Sequence, residues 1–338
     1  MSAQEDHIPV MLREVLAALS PKENGVYVDA TFGAGGYSRA ILESSNCTVY
    51  GFDRDPNAIA DAADLVERFK GRLFVKNRPF SEMREALAED GVENIDGVVF
   101  DLGVSSMQLD QPERGFSFRD NGRLSMRMDC GSPDAADVIA AGDVKELAAV
   151  FKAYGEEKKA NAIARAIVSS RDEAPISTTT ALADIVSAAS PKFPMQKIHP
   201  ATRVFQALRI FVNDELGELV RGLRAAEQLL RPAGRLVVVA FHSLEDRIVK
   251  RFLANRMNAR QGGSRHMPEK DQIVPSFEPV YTKPLSPDDD EIVKNARARS
   301  AKLRAAGRLP APPLVFADED IGLPSFEIVD AFKRKLAL

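Results

Sequence analysis

Four sets of residues in this chain have types and spacings that can do chemistry. The first is the glycine-rich run Asp29-Ala-Thr-Phe-Gly-Ala-Gly-Gly-Tyr-Ser38, with Gly33, Gly35, Gly36 and Tyr37 at its centre. The second is the acid Asp53 in Gly51-Phe-Asp-Arg-Asp-Pro56, the third Asp101 in Asp101-Leu-Gly-Val-Ser-Ser106, and the fourth His242 in Phe241-His-Ser-Leu-Glu-Asp-Arg247. Glycines at a tight turn let a ligand approach the backbone. An acid about 20 residues further on can bind the hydroxyls of a ribose. Together they predict a site for an adenosine-containing cofactor.

The surrounding sequence predicts the elements that hold these residues. Val26–Val28, Thr48–Phe52, Arg72–Val75, Ile95–Phe100 and Gly234–Phe241 read as strands. Helices are expected at Arg39–Glu43, Pro56–Phe69 (Pro in its first turn) and Glu82–Glu89 (capped by Ser81). Strands alternating with helices imply a doubly wound parallel sheet, whose ligands bind at the carboxyl edge. Asp53, Asp101 and His242 each follow a strand and so belong at that edge.

About 130 residues separate the ends of the last two strands, where a βα connection needs about 30. The excess reads as an inserted helical domain at 107–212, within a cofactor domain formed by 1–106 and 213–338. Its expected helices are Val144–Ala153, Glu156–Arg171, Thr179–Ala189 and Ala201–Val212, followed by Asp214–Leu230, which returns to the sheet. Emerging at the carboxyl edge, the insertion is placed to recognise substrate.

The glycine pattern discriminates among cofactors. A dinucleotide fingerprint needs a third glycine where this chain has Ser38, which disfavours a nicotinamide-dependent dehydrogenase. The arrangement is similar instead to the S-adenosylmethionine site of class I methyltransferases, where no phosphate is bound. Asp101 then holds the place where amino-group methyltransferases carry an Asp or Asn before Pro-Pro-Tyr, although the aromatic platform is missing. Asp101 is expected to contact the target amine, the amino acid part of the cofactor, or both. Methylation at pyrimidine C5 would need a thiolate. Cys47 precedes the second strand, away from the site, and Cys130 lies in Asp129-Cys-Gly131 without a preceding proline, so a nitrogen or oxygen is the better target. His242 is expected to contact substrate, and Ser243, with Asp246 three residues on, to cap the following helix.

Composition narrows the remaining classes. With 45% hydrophobic residues, the chain can build a sizeable core. Two distant cysteines exclude a disulfide framework or a zinc–cysteine site, and no long apolar run or leader is evident, so a cytoplasmic protein is expected. The net charge of −4 argues against a general nucleic-acid binder. Two acid-free basic segments soften this: Lys250–Arg265 and Lys294–Arg308, the second carrying Arg297, Arg299, Lys302 and Arg304. Either they face phosphates or they are solvated surfaces. Val204, Leu208 and Phe211 have core spacing, whereas Arg203 and Arg209 are candidates for phosphate contact.

Across nearly its whole length the chain resembles the RsmH (MraW) family, bacterial methyltransferases of cytosine N4 in 16S ribosomal RNA. The resemblance rests on the four runs above together with His7-Ile-Pro-Val10, Arg114-Gly-Phe-Ser-Phe118, Met126-Arg-Met-Asp129 and Tyr154-Gly-Glu156. It also takes in His199-Pro-Ala-Thr202, Phe205-Gln-Ala-Leu-Arg-Ile210 and Arg297-Ala-Arg-Ser-Ala-Lys-Leu-Arg304. It implies S-adenosylmethionine contacts at Gly35, Gly36, Tyr37, Asp53, Phe80, Asp101 and Gln108, a target in the decoding region of the small subunit, and no metal. The target cytosine would be splayed out of its RNA into the pocket. Two positions depart from the pattern. Tyr37 replaces the usual His, so that only a backbone contact could persist there, and Ser125 replaces an Asp.

Overall fold

A computed structural model describes residues 9–191, 199–257 and 274–338. In chain order the elements begin with α1 (Leu12–Leu19), β1 (Val26–Asp29), α2 (Gly36–Ser44), β2 (Thr48–Phe52), α3 (Pro56–Asp61), α4 (Ala63–Arg68), β3 (Leu73–Lys76), α5 (Met83–Glu89) and β4 (Ile95–Asp101). Next come α6 (Ser106–Asp110), α7 (Ala135–Ala141), α8 (Val144–Gly155), α9 (Ala160–Glu173), α10 (Thr179–Ala189), α11 (Ala201–Asn213) and α12 (Glu215–Leu229). The chain closes with β5 (Leu230–Ala240), α13 (Ser243–Met257), β6 (Phe277–Pro279), α14 (Asp289–Lys294), β7 (Lys302–Arg308), α15 (Asp318–Ile321) and α16 (Glu327–Leu336).

Two compact units result: 1–103 with 218–323, and 104–217 with 324–338. The first unit carries a seven-stranded sheet in the order β3-β2-β1-β4-β5-β7-β6. β1 to β5 run parallel and β7 lies antiparallel between β5 and β6. The order reverses between β1 and β4, the switch point where doubly wound sheets bind ligands. This is the class I methyltransferase fold. In register, Asp29 faces Gly51 on one side and Val99 on the other, while Asp101 pairs with Val239 and Val239 with Leu303. Near-continuous apolar strands such as Val98-Val-Phe100 and Leu236-Val-Val-Val239 are buried, as a sheet covered on both faces requires.

The second unit packs α7 to α11 with α16. It departs from the expected boundaries at its C-terminal end, because 324–338 belongs to it rather than to the cofactor domain. The reason is packing: Phe332 of α16 stacks on Phe211 with centroids 5.2 Å apart, Lys333 pairs with Asp214, and Lys335 meets Glu146 at 2.9 Å. Other expectations shift locally. The helix expected over 56–69 breaks at Ala62 into α3 and α4. Ser81 is no cap; it sits in a 3-10 turn over Phe80–Glu82, and its N–H donates to Glu218 (3.0 Å). Glu156 does not begin a helix but ends α8 in the left-handed region at φ +49°. The expected polar loop 261–269 lies outside the described residues.

Candidate functional site

The site is assembled at the carboxyl ends of β1, β2, β4 and β5. Asp29 closes β1 and is fully buried. Its carboxylate accepts from the Ser38 hydroxyl (2.7 Å), the Ser38 N–H (3.1 Å) and the Thr31 N–H (3.4 Å). Ser38, the residue that breaks the dinucleotide fingerprint, therefore ties the first turn of α2 to β1. Burial pushes the Asp29 carboxyl up to about 6, against the pull of the Ser38 bonds.

Between them runs the glycine turn. Gly35 sits at φ +73°, and a Cβ there would come within 2.6 Å of Leu65 and 2.8 Å of Phe32. At Gly36 a Cβ would meet the Pro9 ring at 2.3 Å. These two glycines are required by packing within the turn, whereas Gly33 faces open space, its nearest neighbour being the Thr31 carbonyl at 3.9 Å. Of the three, Gly33 alone has open space in the direction a side chain would take.

Asp53 follows β2. Its carboxylate accepts from the Gly33 N–H and the Asp55 N–H, both at 2.8 Å. Each oxygen so used retains a lone pair, since a carboxylate offers about four acceptor sites. Asp53 is both the brace of the glycine turn and a ready acceptor for two more donors. Burial raises its pKa above the ordinary carboxylate range.

Asp101 closes β4, its backbone N–H donating to the Thr31 hydroxyl (2.7 Å). Its side chain is different in kind: Oδ1 is buried and has no hydrogen-bond partner. Burial first, then the charges of Asp29 and Glu245, push this carboxyl well above its ordinary range. A desolvated acceptor without a donor is costly unless a ligand supplies one.

His242 follows β5 and corrects the expected capping. The cap of α13 is His242, not Ser243: the Glu245 N–H points at Nδ1 (3.4 Å), and Glu245 reaches back to accept from the Phe241 N–H (2.8 Å) and the His242 N–H (3.2 Å). Accepting at Nδ1 leaves the proton on Nε2. That nitrogen is buried, 3.1 Å from Glu245 Oε1 but not aligned for a hydrogen bond with it. Glu245 is not among the residues expected from sequence, though its place three residues after His242 is the capping-box signal. Asp246, expected to complete the cap, instead holds Arg304 at 2.8 Å and Lys302 at 3.5 Å.

The remaining expected residues fall in several environments. Tyr37 is buried and its hydroxyl donates to the Val10 carbonyl, so its ring belongs to the core and only its backbone can serve a ligand. Phe80 packs edge-on against Phe100, centroids 5.3 Å apart, and fills the space a side chain at Gly222 would need. Gln108, in the helical unit, forms a capping box with Ser105, its side chain accepting from the Ser105 N–H at 3.1 Å. Arg209 is not available for phosphate: Glu215 holds it through two bonds of 2.7 Å, with both side chains largely buried. Arg203 is exposed and makes one long bond of 3.5 Å to the Glu156 carbonyl. Arg297 and Arg299 are exposed in a 3-10 turn, but Lys302 and Arg304 lie in β7, partnered by Asp246. Of the segment Lys250–Arg265, Arg260 and Arg265 lie outside the described residues.

The chain is similar to known proteins over most of its length. Residues 4–309 match the MraW methylase family. A protein named ribosomal RNA small subunit methyltransferase H from Parvibaculum lavamentivorans is 53% identical over 331 residues, covering 98% of this chain and 97% of its own. One of the same name from Bradyrhizobium diazoefficiens is 56% identical over 306 residues, covering 90% and 92%. Among solved structures, an rRNA methylase from Streptococcus thermophilus is similar at a TM-score of 0.39 and 11% identity, covering 88% of this chain and 93% of its own. By the extent of the family match and the identity to these full-length relatives, the chain belongs to the MraW methylase family.

Proposed function

We propose that this S-adenosylmethionine-dependent rRNA methyltransferase of the small subunit acts on the exocyclic N4 of a cytidine in the decoding region, at the P site, by direct transfer. The observation that carries the reading is the partnerless, buried Oδ1 of Asp101 at the end of β4. An exocyclic amine has the N–H such an acceptor lacks.

When bound, S-adenosylmethionine supplies an activated methyl group whose leaving group is a neutral thioether. The residues present fit it. Asp53 has lone pairs left for a ribose diol, and the open face of Gly33 leaves room for the ligand along the glycine turn. Asp101 accepts one N–H of the target amine, turning its lone pair toward the methyl carbon. Asp101 would also take up the proton that the amine nitrogen gives up when it is methylated, the methyl–sulfur bond being the one broken. The raised pKa makes that carboxylate a stronger base than an ordinary aspartate. His242, with a buried Nε2–H, is the donor for a polar atom of the base. Arg203 on the helical unit, and Arg297 and Arg299 on the sheet unit, are exposed, and on this reading each is a candidate for contact with an RNA phosphate.

A thiolate route finds no support. Cys47 is buried at the start of β2, its Sγ 3.7 Å from the Ile41 carbonyl, and burial pushes its thiol up. None of the described helices is long and apolar enough to cross a membrane, which is compatible with work on ribosomal subunits in the cytoplasm.

The test is nucleoside mass spectrometry of small-subunit RNA incubated with the protein and S-adenosylmethionine. N4-methylcytidine is expected, and it should persist with Cys47→Ser combined with Cys130→Ser. A methyl group on C5 or on a ribose oxygen would overturn the assignment.

A further inference from the structure

A cavity of about 240 Å³ opens on the far flank of the sheet unit, between α13, the segment 279–284 and β7. Lys250, Lys283 and Arg304 line it together with Tyr281, Leu253 and Met257, and no carboxylate is among its lining residues. Drug-sized ligands occupy pockets of about 300–1,000 Å³, so this one holds a group smaller than such a ligand, such as a base or a phosphate.

The charges are the informative part. Lys250 and Lys283 are exposed and make no ion pair with any described residue. Arg304 is fixed from below: Asp246 holds its Nε at 2.8 Å, which sets the direction of the guanidinium. Tyr281 packs partly on the core and presents the rest of its surface to the cavity. An aromatic ring flanked by two unpaired lysines, with the one neighbouring acid, Asp246, engaged by Arg304 and Lys302, has the ingredients of a single-stranded nucleic-acid subsite: the ring stacks a base and the lysines meet its phosphates.

Position ties this cavity to the reaction. Asp101, Val239 and Leu303 lie in one row across β4, β5 and β7. Two strand spacings place the β7 backbone beside Arg304 about 10 Å from that of Asp101. Arg304 alternates with Leu303 and so lies on the opposite face of the sheet from the Asp101 row, and an RNA strand that delivers a base to Asp101 reaches the cavity by passing around the carboxyl edge.

We infer that the cavity lined by Lys250, Tyr281, Lys283 and Arg304 is a subsite for a nucleotide flanking the methylated base. This rests on the reading of Asp101 given above and extends it to residues outside the cofactor site. The subsite brings together the two basic segments of the sequence through Lys250 and Arg304, and adds Tyr281 and Lys283 from the connection between them.

The test uses the full-length protein, S-adenosylmethionine and unmethylated small ribosomal subunits. Lys250→Gln with Lys283→Gln should raise KM for subunits and reduce the slope of log affinity against log salt by about 1.4, at about 0.7 per phosphate bound. Tyr281→Ala should weaken subunit binding about five-fold or more, and Tyr281→Phe should restore it. In each variant kcat at saturating subunits and calorimetric affinity for S-adenosylmethionine should stay as in the parent protein. Photo-cross-linking from position 281 should yield a nucleotide adduct. Natively stable lysine variants with unchanged KM and salt slope would overturn the subsite while leaving the methylation reading intact, as would a cross-link to a ribosomal-protein peptide. If the parent protein fails to methylate subunit RNA, the methylation reading falls first and the subsite with it.

Discussion

Two regions of the sheet unit bury charge, and they do it in opposite ways. Beneath β7, Arg256 and Glu227 are essentially inaccessible, yet fully partnered. Arg256 Nε donates to Glu227 (2.5 Å), whose other oxygen accepts from the Ser276 hydroxyl (2.6 Å) and the Leu314 N–H (3.2 Å). Arg308 donates to the carbonyls of Glu227 (3.1 Å), Ser276 (3.0 Å) and Ala311 (2.6 Å), and Arg256 lies over the Phe252 ring at 3.6 Å. At the carboxyl edge, Asp29, Asp53 and Asp101 gather acids that burial pushes toward neutrality, and Asp101 keeps an oxygen with no partner. A satisfied buried charge pins strands together. An unsatisfied one costs stability in the free protein and is tolerated where a ligand will complete it.

Mutation should separate the two regions. The largest effect is expected under β7. Glu227→Ala leaves Arg256 buried and uncompensated, and should lower the unfolding free energy by about 3–5 kcal/mol in denaturant titration. At the edge, the acids should make stability depend on pH. The folded protein keeps the Asp29 proton up to about 6, whereas the unfolded chain releases it at the ordinary value of 3.8. Stability contributed by that proton is present in acid and is lost as pH rises from about 4 through 6, by about 3 kcal/mol for Asp29 alone. Asp29→Asn should flatten the pH profile of the unfolding free energy over that interval; superimposable profiles would show that Asp29 does not set it. Asp53→Ala should weaken S-adenosylmethionine binding by about 1.5–3 kcal/mol by calorimetry, the range for hydrogen bonds to a charged group. The smallest effect is expected at the surface. Arg297→Gln with Arg299→Gln should flatten the salt dependence of subunit binding, by about 0.7 in slope for each phosphate no longer bound, without moving Tm.

The same contrast explains what the sequence discloses. The edge is legible because its chemistry is local: glycines at fixed offsets from Asp29, an acid at the end of β2, another at the end of β4. The region under β7 is not. Lys302-Leu-Arg-Ala-Ala-Gly-Arg308 has weak strand propensity and reads as a basic tail, yet it is a strand because β5 and β6 flank it. In sequence its cations look solvated, while Arg304 is held by Asp246 and Arg308 by carbonyls distant along the chain. Arg209 misleads in the same way, since Glu215 lies beyond the end of its helix. The exchange of roles between Ser243 and His242 turns on a single residue of register at the start of α13. Local spacing carries the candidate cofactor site, and tertiary partners decide which cations are left exposed.

On the proposed reading Asp101 trades stability for function, and one paired measurement on Asp101→Ala tests this: single-turnover methylation of small subunits together with the unfolding free energy at neutral pH. The rate should fall by about 10²–10⁴ while the unfolding free energy stays unchanged or increases, because the side chain removed was a desolvated acceptor without a donor. A variant that methylates at the parent rate but unfolds more easily would contradict this reading, and would make Asp101 a structural residue of the β4 edge.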